Sequence, residues 1–336
     1  MGGAYRWGGR ASVKTAVLLA MLIGASAKVL AQPDIGPAPG RLVDIGGRKL
    51  HMICTGTGSP TVAIEAGASA FAIDFSLVQP GIARTNRVCS YDRAGSGWSD
   101  PRNAVETPTA IVADLHRALE VAGEKPPFVL VGASFGGIYV RLYQLDYPRE
   151  VAGLVLIDPA SEDRLFTMYQ KVPVAIASLS ADELRSTLTG SGSVRIPRRD
   201  PQTETPFDKL PPDLYRLRIK LDQRLIVAVP ESVVADTIRI SAEGQRAALA
   251  RLLQHRKSQE HPLGDLPLVV LTRSEDQTPG IVENHIELAQ LSTNSRHSTV
   301  PSSGHEIHLF APDAVIQAVQ DVATAYRQKT RLPARP

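Results

Sequence analysis

The residues able to do chemistry are a serine, a histidine and a carboxylate that follow apolar runs. Ser134 lies in Gly132-Ala133-Ser134-Phe135-Gly136, directly after the apolar run Phe128–Val131 and before Ile138–Tyr147, where helical periodicity resumes. The first run predicts a buried strand, so the serine stands at the apex of a strand–turn–helix, a nucleophile elbow. Such a turn strains the serine backbone and demands small residues two positions before and after it. Otherwise the strand and helix could not approach closely enough to push the hydroxyl outward. The N–H groups of a helix N-terminus would also favour developing negative charge there.

A serine hydroxyl is a poor nucleophile at neutral pH and needs a base within hydrogen-bond reach. Eight histidines compete for that role. His51 falls on an early strand, His116 on the exposed face of a helix, and His255, His261 and His285 in helical or inserted regions. His297 opens the last strand. His305 follows that strand in Ser302-Ser303-Gly304-His305, and the chain order serine, acid, histidine makes it the candidate base, with His308 as the fallback. A third group must orient the imidazole and stabilise its charged form. Asp276, in Arg273-Ser274-Glu275-Asp276-Gln277, is the leading candidate, and Glu275 and Asp158 are the alternatives.

Three segments carry a family resemblance. Leu130-Val-Gly-Ala-Ser-Phe-Gly-Gly137 resembles the nucleophile segment of the α/β-hydrolase superfamily, in its serine esterase and lipase branch. Tyr91-Asp-Arg-Ala-Gly-Ser-Gly-Trp-Ser99 resembles its D-R-x-G-x-G-x-S turn, and Ser303-Gly-His-Glu-Ile-His308 its G-H segment. The resemblance runs from about Arg41 to the C-terminus, apart from a central insertion. It implies the α/β-hydrolase fold: a mostly parallel sheet with helices on both faces and a largely helical cap inserted after the sixth strand. It places the base at His305 and the acid after the Leu268–Thr272 strand, at Asp276. It puts the oxyanion hole at the backbone N–H groups of Phe135 and Ala68. The sequence Ala66-Gly67-Ala68 departs from the commoner His-Gly form of that loop. Asp92 and Arg93 are read as holding the loop near the site, and Trp98 as lining the pocket. The strands carrying Cys54 and Cys89, the only two cysteines, are implied to lie side by side, so that a disulfide is possible. No substrate follows from the resemblance.

The elements that must position these groups alternate. Arg41–Ile45 and Lys49–Thr55 predict a hairpin around Gly46-Gly47, followed by strands at Thr61–Glu65, Arg87–Tyr91, Phe128–Val131, Val151–Ile157, Leu268–Thr272 and Ser298–Pro301. Helices are expected at Phe75–Ala83, Thr107–Ala122, Ile138–Tyr147, Ile281–Leu291 and Ala314–Tyr326. That alternation argues for a parallel sheet covered on both faces. From Ser161 to Pro262 the signals are helical (181–188, 214–225, 243–255) or loop-like. The expected organisation is therefore a core over 32–160 and 263–336, interrupted by the insertion 161–262.

Ahead of the first acidic residue, Asp34, stand Arg6, Arg10 and Lys14, the apolar run Thr15–Ala27, and the small residues Ala25-Ser26-Ala27 and Val29-Leu30-Ala31. That order predicts a signal peptide over 1–31, removed after Ala31. Its run is too short to span a membrane, and no stable membrane anchoring is expected after cleavage. The full chain of 336 residues has 37 Lys and Arg against 34 Asp and Glu. Without Arg6, Arg10, Lys14 and Lys28 the excess disappears, so the basic balance is no argument for nucleic acid as a partner. Export would favour oxidation of the two cysteines. No spacing suggests a metal site, and no cofactor is expected.

The expected function is an exported, periplasmic or secreted serine hydrolase acting on small carboxylic esters. An amidase or aminopeptidase using the same residues is one alternative, and a non-catalytic binding protein on the same scaffold is the other. Aspartate-nucleophile chemistry on halides or epoxides is disfavoured by the serine.

Overall fold

Alternate residues of the central strands enter opposite halves of the core. Phe128, Leu130, Leu154, Leu156, Leu268 and Val270 pack into one apolar cluster. Val129, Val131, Val155, Ile157, Val269 and Leu271 pack into the other. This is the side-chain period of a strand buried on both sides. The computed structural model describes residues 34–102, 106–162, 166–169, 172–175, 205–224, 231–277 and 279–334. The expected signal segment 1–31 and the expected helix over 181–188 lie outside the described residues.

The strands are β1 (Arg41–Asp44), β2 (Lys49–Thr55), β3 (Thr61–Glu65), β4 (Val88–Tyr91), β5 (Phe128–Ala133), β6 (Val151–Ile157), β7 (Phe166–Tyr169), β8 (Val172–Ala175), β9 (Leu268–Arg273) and β10 (Ser295–Val300). Eight of them form one sheet in the order β1-β2-β4-β3-β5-β6-β9-β10, and β7 and β8 form a separate antiparallel pair. Within the large sheet only β2 runs against its neighbours. The β1–β2 hairpin closes as expected at Gly46-Gly47, whose N–H groups both donate to Asp44 Oδ1.

The helices are α1 (Gln79–Ile82), α2 (Pro108–Val121), α3 (Gly136–Asp146), α4 (Pro212–Arg224), α5 (Glu231–Arg256), α6 (Ile281–Ala289), α7 (Ile307–Phe310) and α8 (Pro312–Gln328). Among the described residues, no helix is long and apolar enough to cross a membrane. Thr107 caps α2, its Oγ1 accepting from the Ala110 N–H, and Pro108 supplies a first turn that needs no N–H donor. Leu115 and Leu119 of α2, Leu142 of α3 and Leu249 and Leu252 of α5 cover one sheet face. Ile82 of α1 and Val315, Val319 and Val322 of α8 cover the other. At about 1.5–3 kcal/mol for each large apolar side chain, these two layers are the main stabilising term.

The helix expected over Phe75–Ala83 is instead a 3₁₀ turn at Ala72–Phe75 followed by the single turn of α1. The third inserted helix, expected at 243–255, begins a further three turns earlier, at Glu231.

Cys54 and Cys89 face each other across the β2–β4 ladder and are joined as a disulfide, 35 residues apart in sequence. Removing the crosslink releases the loop it closes in the unfolded chain, which costs about 2–4 kcal/mol. Thiol titration of the unfolded, unreduced protein should find none. Cys54→Ala/Cys89→Ala should unfold at correspondingly lower urea, and an unshifted midpoint would count against the crosslink.

Candidate active site

The elbow is built by close packing. Ser134 has φ +52°, a conformation that L residues rarely adopt. A Cβ on Gly132 would come within 2.5 Å of the Gly136 carbonyl, and one on Gly136 would fall on the Glu65 carbonyl. Small residues are therefore required on both sides of the serine, as its spacing implied. The Ser134 N–H donates to Ile157 O at the end of β6 (2.9 Å), and Ser134 O accepts from the Ala160 N–H (2.9 Å). The serine backbone is thereby fastened to the turn that follows β6.

That turn supplies the carboxylate. Ser134 Oγ lies 2.9 Å from His305 Nε2, and His305 Nδ1 lies 2.5 Å from Asp158 Oδ2. Asp158 is also at positive φ (+41°) and is 2% exposed. Its Oδ2 accepts a second bond from Arg273 Nη1 (2.6 Å), and its Oδ1 accepts from the Arg273 backbone N–H (3.2 Å). Burial alone would push the carboxyl up. The His305 hydrogen bond and charge, with the Arg273 charge, outweigh it and hold Asp158 below the usual carboxylate range.

The carboxylate the structure sets beside His305 is that of Asp158, not the expected Asp276 or the alternative Glu275. Asp276 and Glu275 are both exposed, and among the described residues neither carboxylate is hydrogen-bonded to His305, whose Nδ1 meets Asp158. The N–H groups of Ser274 and Glu275 both donate to Ser303 O, which turns this loop outward. The space beside Asp158 is filled instead by the Arg273 guanidinium, whose Nε donates to the Asp276 carbonyl (3.1 Å). Asp276 thus contributes its backbone and Asp158 its carboxylate. The signal available in the sequence was Arg273 itself. A guanidinium that follows the apolar run Leu268–Leu271 on a buried strand needs a buried carboxylate, and Asp158 directly follows the neighbouring strand β6.

A hydroxyl, an imidazole and an ionised carboxylate in series can pass a proton from the first to the second while the third keeps the tautomer fixed. The family model for the alpha/beta hydrolase fold matches residues 62–312. The chain belongs to the α/β-hydrolase family. It is 24% identical over 279 residues to Uncharacterized protein YqjL of Bacillus subtilis (strain 168), covering 82% of this chain and 87% of that one. It is also 24% identical over 313 residues to Probable transporter efuK of Hormonema carpetanum, spanning 86% of this chain but only 43% of that longer protein. Among solved structures, lip1 of Acinetobacter baumannii AYE superposes with TM-score 0.61 at 18% identity, over 95% of this chain and 96% of the other. A thermophilic esterase from Thermogutta terrifontis gives 0.55 at 20%, over 83% and 94%. Likeness at these identities shows the fold.

In this hydrolase the loop after β3 packs against the elbow: a Cβ on Gly67 would meet Ser134 Cβ at 3.2 Å. Ala68 follows on that loop, and Phe135 opens α3. Neither backbone N–H is engaged by an acceptor among the described residues. Arg93 holds the loop, its Nη1 donating to Ala66 O (2.7 Å) and Glu65 Oε1 (2.7 Å) and its Nη2 to Gly67 O (2.5 Å). Asp92 accepts from the Ala72 N–H (2.8 Å) and pairs with the buried His51. The expectation that this pair holds the loop agrees with these contacts. Trp98, expected to line the pocket, donates from its indole to Gly36 O (3.0 Å) and tilts against His51, so among the described residues it clasps the segment ahead of β1.

A buried ion pair joins this region to the inserted helices. Arg218 of α4 donates from Nε to Asp74 Oδ1 (3.0 Å), on the 3₁₀ turn after the Gly67 loop, and its guanidinium stacks 3.5 Å from the Phe207 ring centroid. His308, the fallback base, lies beside this group. It is buried and stacked on Phe75, with ring centroids 4.5 Å apart, and neither ring nitrogen has a hydrogen-bond partner among the described residues.

Burial holds His308 down at about 3, with the charges of His305 and Arg218 acting the same way. The unfolded histidine titrates near its ordinary value of about 6.5. Between those pH values the unfolded chain binds a proton that the folded chain refuses, so stability falls as pH drops through this window. His308→Phe keeps the stack on Phe75 and removes that contribution, which is at most about 1.4 kcal/mol per pH unit. Urea midpoints of this variant should decline less than those of wild type between pH 6.5 and 4. Parallel declines would refute the assignment.

Proposed function

We propose that the chain is a serine hydrolase that cleaves carboxylic esters through an acyl-enzyme. Ser134 Oγ attacks the ester carbonyl while His305 Nε2 takes its proton. The N–H groups of Phe135 and Ala68 receive the developing oxyanion, and each donor is worth on the order of 10²–10³ in rate. His305 then returns the proton to the leaving alcohol. Asp158 holds the imidazole in the tautomer with its proton on Nδ1 and stabilises its charged form. Water attacks the acyl-enzyme by the same route, releasing the acid and restoring Ser134.

The observation that carries the reading is the unbroken hydrogen-bonded series Ser134 Oγ, His305, Asp158. The likeness to an esterase supports the choice of ester. The segment between β6 and β9 serves as the cap that selects the acyl group, and the small-molecule ester is the only partner the reaction needs. Export is the reading of the signal-like segment 1–31 and agrees with the Cys54–Cys89 disulfide.

Three variants test the assignment with p-nitrophenyl esters and a fluorophosphonate label. Ser134→Ala should fold, take no label and lose nearly all turnover. Asp158→Asn should keep the label site but lower kcat by about 10³–10⁴. Asp276→Asn should hydrolyse at the wild-type level. Full activity in Ser134→Ala would falsify the reaction, and loss in Asp276→Asn with none in Asp158→Asn would reverse the choice of acid.

A further inference from the structure

We propose that Arg273 is a positioning residue of this site: its guanidinium shares Asp158 Oδ2 with His305 and extends to lower pH the range in which the imidazole can act as base. The inference rests on the reading of His305 as the base.

The geometry restricts the protons. An ionised carboxylate oxygen 2.5 Å from Nδ1 requires a hydrogen between them, so His305 donates from Nδ1 and accepts at Nε2. Arg273 Nη1 stands 3.1 Å from the same Nδ1. Both atoms are then donors, so this contact is no hydrogen bond. Two like groups are pressed together by an acceptor they share. The guanidinium is held at both ends, by Asp158 and by the Asp276 carbonyl, and is 9% exposed. Arginine cannot shed its charge to relieve the contact.

Two consequences follow, and they act in the same direction. The cation keeps Asp158 ionised to lower pH. It also makes proton uptake by His305 less favourable than a carboxylate alone would, because the imidazolium forms within 3.1 Å of a fixed positive charge. Both keep Nε2 free to accept the serine proton as the solution is acidified. The cost is weaker stabilisation of the imidazolium during reaction, a compromise that suits work below neutral pH.

Other titratable groups around the pair, among the described residues, do not duplicate this effect. His285 of α6, which donates from Nε2 to Pro159 O, and His308 of α7 are both held below the usual imidazole range by burial. His297 of β10 reaches the site only through Thr272 Oγ1, which it shares with His285. Arg218 is paired with Asp74, and Glu275 and Asp276 are exposed and screened by solvent. Glu306 is the adjacent residue, half-buried.

The test compares Arg273→Met and Arg273→Lys with wild type in kcat/KM against pH for p-nitrophenyl butyrate, and in the ¹⁵N resonances of the His305 ring against pH. Arg273→Met should move the acid limb up by about one pH unit, with KM little changed. Arg273→Lys, which keeps the charge but loses the fork to Asp276 O, should return the limb close to wild type while its plateau kcat stays low. A folded Arg273→Met with an unmoved limb and an unmoved ring titration overturns the proposal. If Arg273→Met does not fold, Arg273→Gln takes its place: a limb differing between Gln and Lys supports the proposal, and identical limbs overturn it. The ring titration needs no turnover. If wild type proves inactive on esters, the reaction fails, and the shifted or unshifted resonance still decides the role of Arg273.

Discussion

Everything around Ser134 converges on one buried anion. The Asp158 carboxylate is removed from water and must find its stabilisation in the protein, where an unpaired charge would cost several kcal/mol. Three donors meet it: the Arg273 backbone N–H, the Arg273 guanidinium and His305 Nδ1. They come from two further segments of chain. Satisfying one acceptor therefore sets the end of β9, the loop after β10 and the rotation of the imidazole at the same time.

Backbone bonds lace the same loops together. The Ser134 N–H reaches Ile157 O, the Asp158 N–H reaches Leu271 O, and the Ser274 and Glu275 N–H groups reach Ser303 O. Elbow, acid turn, arginine loop and histidine loop form one continuous series across neighbouring parallel strands. Strain collects along it. Of the six described non-glycine residues at positive φ, five (Ser69, Ser134, Asp158, Asp276 and Ser302) lie on these loops or on the loop after β3. Conformations costing about 1–3 kcal/mol each persist only where the surroundings over-determine them, and here the lacing does so. The side chains are aimed before any substrate arrives.

Most of the scaffold was legible because burial writes itself into sequence. The bounds of β3 and β6 are legible to the residue, since both faces of each are covered, every position is buried and the interior positions are apolar or small. β10 was placed three residues late at its start. It is an edge strand whose Ser295, Arg296, His297 and Ser298 stay half-buried and polar, so periodicity had nothing to report. The elbow and His305 were readable from local spacing. The carboxylate beside His305 was not, because Asp158 and Asp276 each lie in the loop after a buried strand, and only the side-chain direction in that loop separates them. That direction is set by contacts between Ser274 and Ser303, 29 positions apart in the chain and invisible to local pattern. The meeting of Arg273 with Asp158 is likewise tertiary, although a charged residue ending an apolar strand is a visible sign that some opposite charge must wait beside it.

The origin of the reacting groups has a further consequence. Ser134, Asp158, Arg273 and His305 all project from strand ends or the loops that follow them, and none lies between residues 161 and 262. In the proposed reaction the proton path belongs to the strand ends of the sheet, whereas the positions of the intervening segment are freer to diverge. Lineages could vary the intervening helices and inherit new selectivity without retuning the reaction, provided a cation still meets Asp74 and apolar side chains still cover the sheet as Leu249 and Leu252 do. For the engineer, diversity belongs at the positions of that stretch that neither pair with Asp74 nor pack on the strands.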